Sequence, residues 1–118
     1  MPPHTHSRED EYSYVLEGEV GVKIGEQEFL AREGDIIIKP RGMSHTFWNA
    51  GPEPARLLEI IAPAGFESYF EEMAHVLSTD GPPNKEQIDS IDEKYGMTYQ
   101  MDQIPALMAK YHLHDPRG

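Results

Sequence analysis

The first half of the chain alternates. Val20, Val22 and Ile24 take every second position, with Gly21 and Lys23 between them, the period of a strand with one buried face. Tyr12–Glu17 (YSYVLE) is rich in β-favouring residues and stops at Gly18. Gly25-Glu26 reads as a two-residue turn, with Gln27–Leu30 as the returning hairpin partner. Ile36-Ile37-Ile38 is a β-branched run bounded by Gly34-Asp35 and Pro40. Thr46–Asn49 and Arg56–Ala62 complete six short strands, separated by the breaker Gly51-Pro52-Glu53-Pro54. Such close, regular spacing predicts a sandwich or small barrel, paired antiparallel.

The period changes near Pro63, and residues 66–114 read as helical. Phe66, Tyr69, Phe70, Met73, Val76 and Leu77 form one apolar stripe at helical spacing. The stripe is expected to pack on the barrel or on a second subunit. Glu67, Glu71, Glu72 and His75 take the other face, where Glu71 and His75 read as a surface pair. Asn84 followed by Gln87 resembles a capping box and starts a second helix. Its inner face is Ile88, Ile91 and Tyr95, and Gly96 suits the position just past its end. A third helix is predicted from Pro105 to about Leu113. Residues 1–62 are thus read as the β region. Residues 63–118 are read as a helical C-terminal extension packed on it within the same domain.

The length of 118 residues suits one compact domain. Lys and Arg total 10 against 21 Asp and Glu, a net charge of −11. That balance argues against nucleic acid and anionic membranes as partners. No apolar run approaches the roughly 20 residues of a membrane span, and MPPHTHSRED has no apolar core of a signal peptide. Cysteine is absent, which removes disulfides and thiolate chemistry and makes a reducing cytoplasm the expected location.

The chain opens with candidate chemistry. On an extended strand His4 and His6 project from one face and aim two imidazoles at one point. Ser7–Asp10 reads as a turn, after which Glu11 begins a neighbouring strand and points back. Further on, Pro40-Arg41-Gly42 forms a tight turn that feeds His45 into a strand, where it is either structural or completes a metal site. At the other end His112-Leu113-His114 mimics a ligand pair. On a helix, residues i and i+2 diverge by about 200°, so these rings are not expected to converge.

The two stretches resemble the two signature motifs of the cupin superfamily. The first, G(X)5HXH(X)3,4E(X)6G, is met by His4, His6, Glu11 and Gly18. The second, G(X)5PXG(X)2H(X)3N, is met in full by Gly34, Pro40, Gly42, His45 and Asn49. Fifteen residues separate Gly18 from Gly34, a short insert similar to that of small single-domain cupins. The tail after Gly65-Phe66-Glu67 is also similar to quercetin 2,3-dioxygenase-like members. The resemblance implies an antiparallel jelly-roll β-barrel followed by two or three C-terminal helices. It also implies one divalent metal ion held by His4, His6, Glu11 and His45. The first glycine of motif one falls ahead of Met1, so the N-terminal strands that brace such a barrel are expected to be missing. A second subunit is expected to cover that edge, because an open edge is a liability.

Three imidazoles and a carboxylate suit Fe, Mn, Ni, Co, Cu or Zn alike. Strand parity places Ser13 and Val15 on the face of Glu11, with Tyr12, Tyr14 and Leu16 outward. It likewise places Phe47 and Asn49 with His45, leaving Thr46 and Trp48 outward. Ser13, Val15 and Phe47 are therefore candidate substrate-pocket walls, with plain core packing as the alternative for Phe47. Asn49 is equally suited to tying down a turn. The outward row Tyr12-Tyr14-Leu16 is apolar enough to require cover from a helix or second subunit, so a homodimer is expected. The leading function is a metal-dependent dioxygenase acting on a small organic molecule, with Glu11 as ligand and general base. A redox-neutral isomerase, epimerase, lyase or decarboxylase and a non-catalytic ligand-binding cupin remain as alternatives.

Overall fold

The computed structural model describes residues 2–78 and 81–113. Seven strands come first: β1 (His4–His6), β2 (Asp10–Glu17), β3 (Glu19–Ile24), β4 (Gln27–Arg32), β5 (Ile36–Lys39), β6 (His45–Asn49) and β7 (Arg56–Ala62). Then follow α1 (Glu67–Leu77), α2 (Lys85–Lys94), β8 (Met97–Tyr99), one 3-10 turn and α3 (Ile104–Tyr111). The strands form a five-stranded sheet ordered β4-β3-β6-β1-β8 and a three-stranded sheet ordered β5-β2-β7. All of the pairings are antiparallel.

The alternation read from the sequence explains the packing. Val20, Val22 and Ala31 of the larger sheet bury against Val15 and Ile37 of the smaller one, with Phe47 and Leu57 packed alongside. The two sheets therefore lie face to face over one core. They are not closed into the barrel expected from the sequence. Among the described residues, the smaller sheet ends at β5 and β7, and neither pairs with a strand of the larger sheet.

The second departure is β8, within a stretch read as helical. After α2, Gly96 adopts a left-handed φ of 69°, which ends the helix as expected and reverses the chain. Met97, Thr98 and Tyr99 then pair with His6, Thr5 and His4. Backbone bonds from Ser7 N to Gly96 O (3.0 Å) and from Gln100 N to Pro3 O (2.7 Å) extend the pairing. The outer edge of β1, which was expected to need a second subunit, is covered by the chain itself.

Helix α2 starts at the predicted cap, where Asn84 Oδ1 accepts the Gln87 backbone N–H at 3.1 Å. The stripe of α1 is only partly covered. Phe66, Tyr69 and Val76 are buried, but Phe70 and Leu77 are more than half exposed. The cover comes from Ile91, Tyr95, Met97 and Tyr99, with Ile61 of β7. α3 begins one residue before Pro105 and ends before Leu113. It lies outside the larger sheet, with the Tyr111 ring tilted against the Trp48 ring at 4.5 Å between centroids. Trp48 is therefore half-buried, and Thr46, expected to face outward, is buried. His75 is exposed, as read. His114 lies outside the described residues. No described helix is long and apolar enough to cross a membrane.

The outer face of the smaller sheet keeps the apolar character read from its sequence. Cross-strand registers set Ile38, Tyr12 and Ile60 in one row and Ile36, Tyr14 and Leu58 in the next. Ile36, Ile38, Leu58 and Ile60 are each more than half exposed, and Tyr14 and Leu16 are also exposed.

Candidate metal centre

Four side chains from three strands, β1, β2 and β6, converge between the sheets. β1 presents His4 and His6 from alternate positions, both buried. The following turn is fixed by Asp10, whose carboxylate accepts from the Arg41 backbone N (2.8 Å), Nε (3.2 Å) and Nη2 (3.1 Å). That grip carries the chain across to the smaller sheet, so Glu11 faces back toward the two imidazoles. Gly42, at φ 78°, makes the sharp turn after β5 and donates its N–H to His6 O at 2.7 Å. The turn is thereby tied to β1, and His45 enters β6 directly opposite His4.

The four side chains form one cluster, each offering a donor atom within 4.8 Å of the others. Ring centroids lie 4.4 Å apart for His4 and His45, 5.1 Å for His4 and His6, and 5.5 Å for His6 and His45. Glu11 Oε1 is 2.6 Å from His6 Nε2, and Oε2 is 3.2 Å from His45 Nε2. Neither ring nitrogen of His6 or His45 makes a hydrogen bond of acceptable direction, although both rings are buried. Buried polar atoms are normally satisfied, and in each neutral ring one of these nitrogens carries a lone pair that an ion could take. His4 Nδ1 lies 2.8 Å from Pro2 O. A carbonyl only accepts, so Nδ1 carries the proton and Nε2 keeps its lone pair. Donor chemistry and unpartnered nitrogens both fit a divalent transition ion.

The electrostatics favour the ligating forms. Burial, with His45 and His6 nearby, pulls the His4 ring down to about 4 against the opposing pull of the Pro2 carbonyl. It is therefore neutral at pH 7, as metal binding requires. Burial pushes the Glu11 carboxyl up. His45 and His6 contacts and the Lys39 ammonium outweigh it and hold the carboxyl well below its ordinary range.

The family model described as Cupin domain matches residues 1–61. The chain belongs to the cupin family. It is 36% identical over 83 residues to germin-like protein subfamily 2 member 2 of Arabidopsis thaliana, covering 66% of this chain and 36% of that protein. It is 31% identical over 81 residues to the tetracenomycin polyketide synthase protein TcmJ of Streptomyces glaucescens, covering 69% of this chain and 52% of that protein. This cupin thus spans between about a third and a half of these relatives' length. Among solved structures, TT1209 from Thermus thermophilus aligns with a TM-score of 0.51 and 40% identity, over 53% of this chain and 60% of that one.

The other candidate residues sit as follows. Val15 lies in the core and Phe47 packs against it. Ser13 is buried and donates its hydroxyl to Glu59 Oε1. Asn49 ties down a turn, donating to Glu53 O (2.9 Å) and accepting from Gly51 N (3.0 Å). Further neighbours of the cupin site went unread in the sequence. Lys39 Nζ is 3.0 Å from Glu11 Oε2, and Glu9 Oε1 is 3.6 Å from His6 Nδ1. The Phe66 ring covers His6 edge-on at 4.7 Å, and the Tyr99 ring lies 5.8 Å from His4. The period-two pattern could have exposed Lys39, which shares the inward parity of Ile37. Phe66 and Tyr99 carry no such signal, because they arrive from the helical segment.

Proposed function

We propose that this chain is a metal-dependent cupin enzyme, a dioxygenase similar to the quercetin 2,3-dioxygenase-like members, acting on a small enolic or phenolic molecule. The observation that carries the reading is the set of buried, unpartnered nitrogens on His6 and His45 beside the Glu11 carboxylate. His4, His6, Glu11 and His45 would hold the ion. When bound, a divalent ion there supplies Lewis acidity toward an enolic or phenolic oxygen. The Glu11 carboxylate is too weak a base for a free hydroxyl, so it would receive the proton only of a substrate hydroxyl acidified by the ion. Phe66 and Tyr99 wall the imidazoles and limit access of water. A polyketide is rich in enolisable oxygen, and the name of the TcmJ relative is consistent with that substrate class.

The two facing sheets support a jelly-roll arrangement, with residues 63–118 as an extension of the same domain. A second copy of this chain is the fitting partner for the outer face of the smaller sheet. The two rows there carry no charge, and on a chain of net charge −11 an uncharged patch is where two like-charged copies can meet isologously. The absence of cysteine suits a cytoplasmic setting.

The test is oxygen uptake by metal-reconstituted protein across a panel of flavonols, catechols and β-diketones. Uptake that matches loss of one substrate supports the dioxygenase. Turnover of a substrate in the absence of oxygen would replace it with a redox-neutral reaction. Metal retention with no turnover would leave a ligand-binding cupin.

A further inference from the structure

Lys39 is 1% exposed, although it stands at the end of a short strand. Lysines are seldom buried unless paired, and this one is paired twice. Its Nζ lies 3.0 Å from Glu11 Oε2 and 3.0 Å from Glu59 Oε2, and 5.1 Å from the centre of the Phe47 ring. Strand register makes the arrangement specific. Lys39 stands directly across from Glu11 on β5, and Glu59 stands across from Ser13 on β7. Ser13 donates to the other Glu59 oxygen, so Glu59 is oriented before it grips Lys39. The three strands of the smaller sheet together hold one ammonium against one oxygen of Glu11.

The two Glu11 oxygens therefore have different surroundings. Oε1 lies 2.6 Å from His6 Nε2, while Oε2 carries the lysine at 3.0 Å and lies farther, at 3.2 Å, from His45 Nε2. We propose that Lys39 is a positioning residue that confines Glu11 to a single oxygen donor toward the metal. The chain then presents three nitrogens and one oxygen, and a six-coordinate ion keeps two positions for other ligands. A Glu11 free to chelate with both oxygens would leave one. A substrate that offers two oxygens needs both positions, so Lys39 would select for bidentate substrates. This inference rests on the metal reading above.

The test uses the full chain loaded with Co(II) and titrated by visible absorption with two probes. Acetohydroxamate binds through two oxygens, and azide binds through one atom. The variant is Lys39→Met/Glu59→Gln, which removes one cation and one anion and leaves the local charge balanced. A second variant, Glu59→Gln, is isosteric and loosens Lys39 without removing it. The double variant is expected to hold one Co(II) per chain with an altered visible spectrum. Its acetohydroxamate affinity is expected to fall by about tenfold or more, with azide affinity changed by less than about threefold. Glu59→Gln is expected to show the same pattern at smaller amplitude, which keeps the test available if the double variant does not fold. Unchanged spectra and unchanged affinities for both probes would overturn the proposal, as would equal loss of both probes. Failure of the wild type itself to bind Co(II) would instead overturn the metal reading, and the proposal with it.

Discussion

Acid should destabilise the metal-free protein, and His4 should carry a defined share of the loss. Its ring is held at about 4, against the usual 6.5, chiefly by burial. The unfolded chain therefore takes up the proton first as pH falls. The contribution is full above about pH 6.5 and is lost progressively toward about pH 4. Integrating between those values gives a loss of about 2 kcal/mol at pH 5 and about 3 kcal/mol at pH 4. The ring is almost fully buried, so little of this is screened by solvent. The assay is urea unfolding in the presence of a chelator, followed by fluorescence of Trp48, the only tryptophan. His4→Gln is neutral in both states and serves as the comparison. The stability of wild type should fall between pH 7 and pH 5 by about 2 kcal/mol more than that of the variant. Parallel curves across that interval would refute the assignment, because other acids titrate equally in both proteins.

Three further outcomes follow from packing and capping. Val15→Ala removes two methyl groups from a fully buried side chain and should cost about 2–3 kcal/mol in urea unfolding; a cost under about 0.5 kcal/mol would contradict its place in the core. Asn84→Ala removes the acceptor for Gln87 N and should weaken α2 by about 1 kcal/mol, read as faster amide exchange confined to that helix. Ile38→Lys on the exposed face of the smaller sheet should convert a homodimer to monomer in light scattering at micromolar concentration. A wild type that is already monomeric would contradict the dimer.

The clustering of His4, His6, Glu11 and His45 was legible because its spacing is local. His4 and His6 share a strand face through period two, and the proline–glycine turn delivers His45 at a fixed distance along the chain. Both features survive folding without help from distant residues. The parity of Glu11, Ser13 and Val15 against Tyr14 and Leu16 survived for the same reason. β8 was not legible. Three residues span barely one strand period, and Met97-Thr98-Tyr99 becomes a strand through the open edge of β1, nearly a hundred residues earlier. Sheet closure is likewise a property of how two sheets meet rather than of either strand pattern. Thr46, expected outward, is buried, and Trp48 is half-buried because Tyr111 of α3 lies over it, a long-range dock that periodicity does not encode.

The proposed role of His4, His6, Glu11 and His45 is to hold one metal ion together. The measurement that tests it most directly is elemental analysis of purified protein after reconstitution with Mn(II), Fe(II), Co(II), Ni(II), Cu(II) or Zn(II) and removal of unbound ion, with His45→Ala alongside. Wild type should hold close to one ion per chain, and the variant should lose it sharply while still unfolding cooperatively. Metal-free wild type with every ion, or equal metal content in the variant, would contradict it.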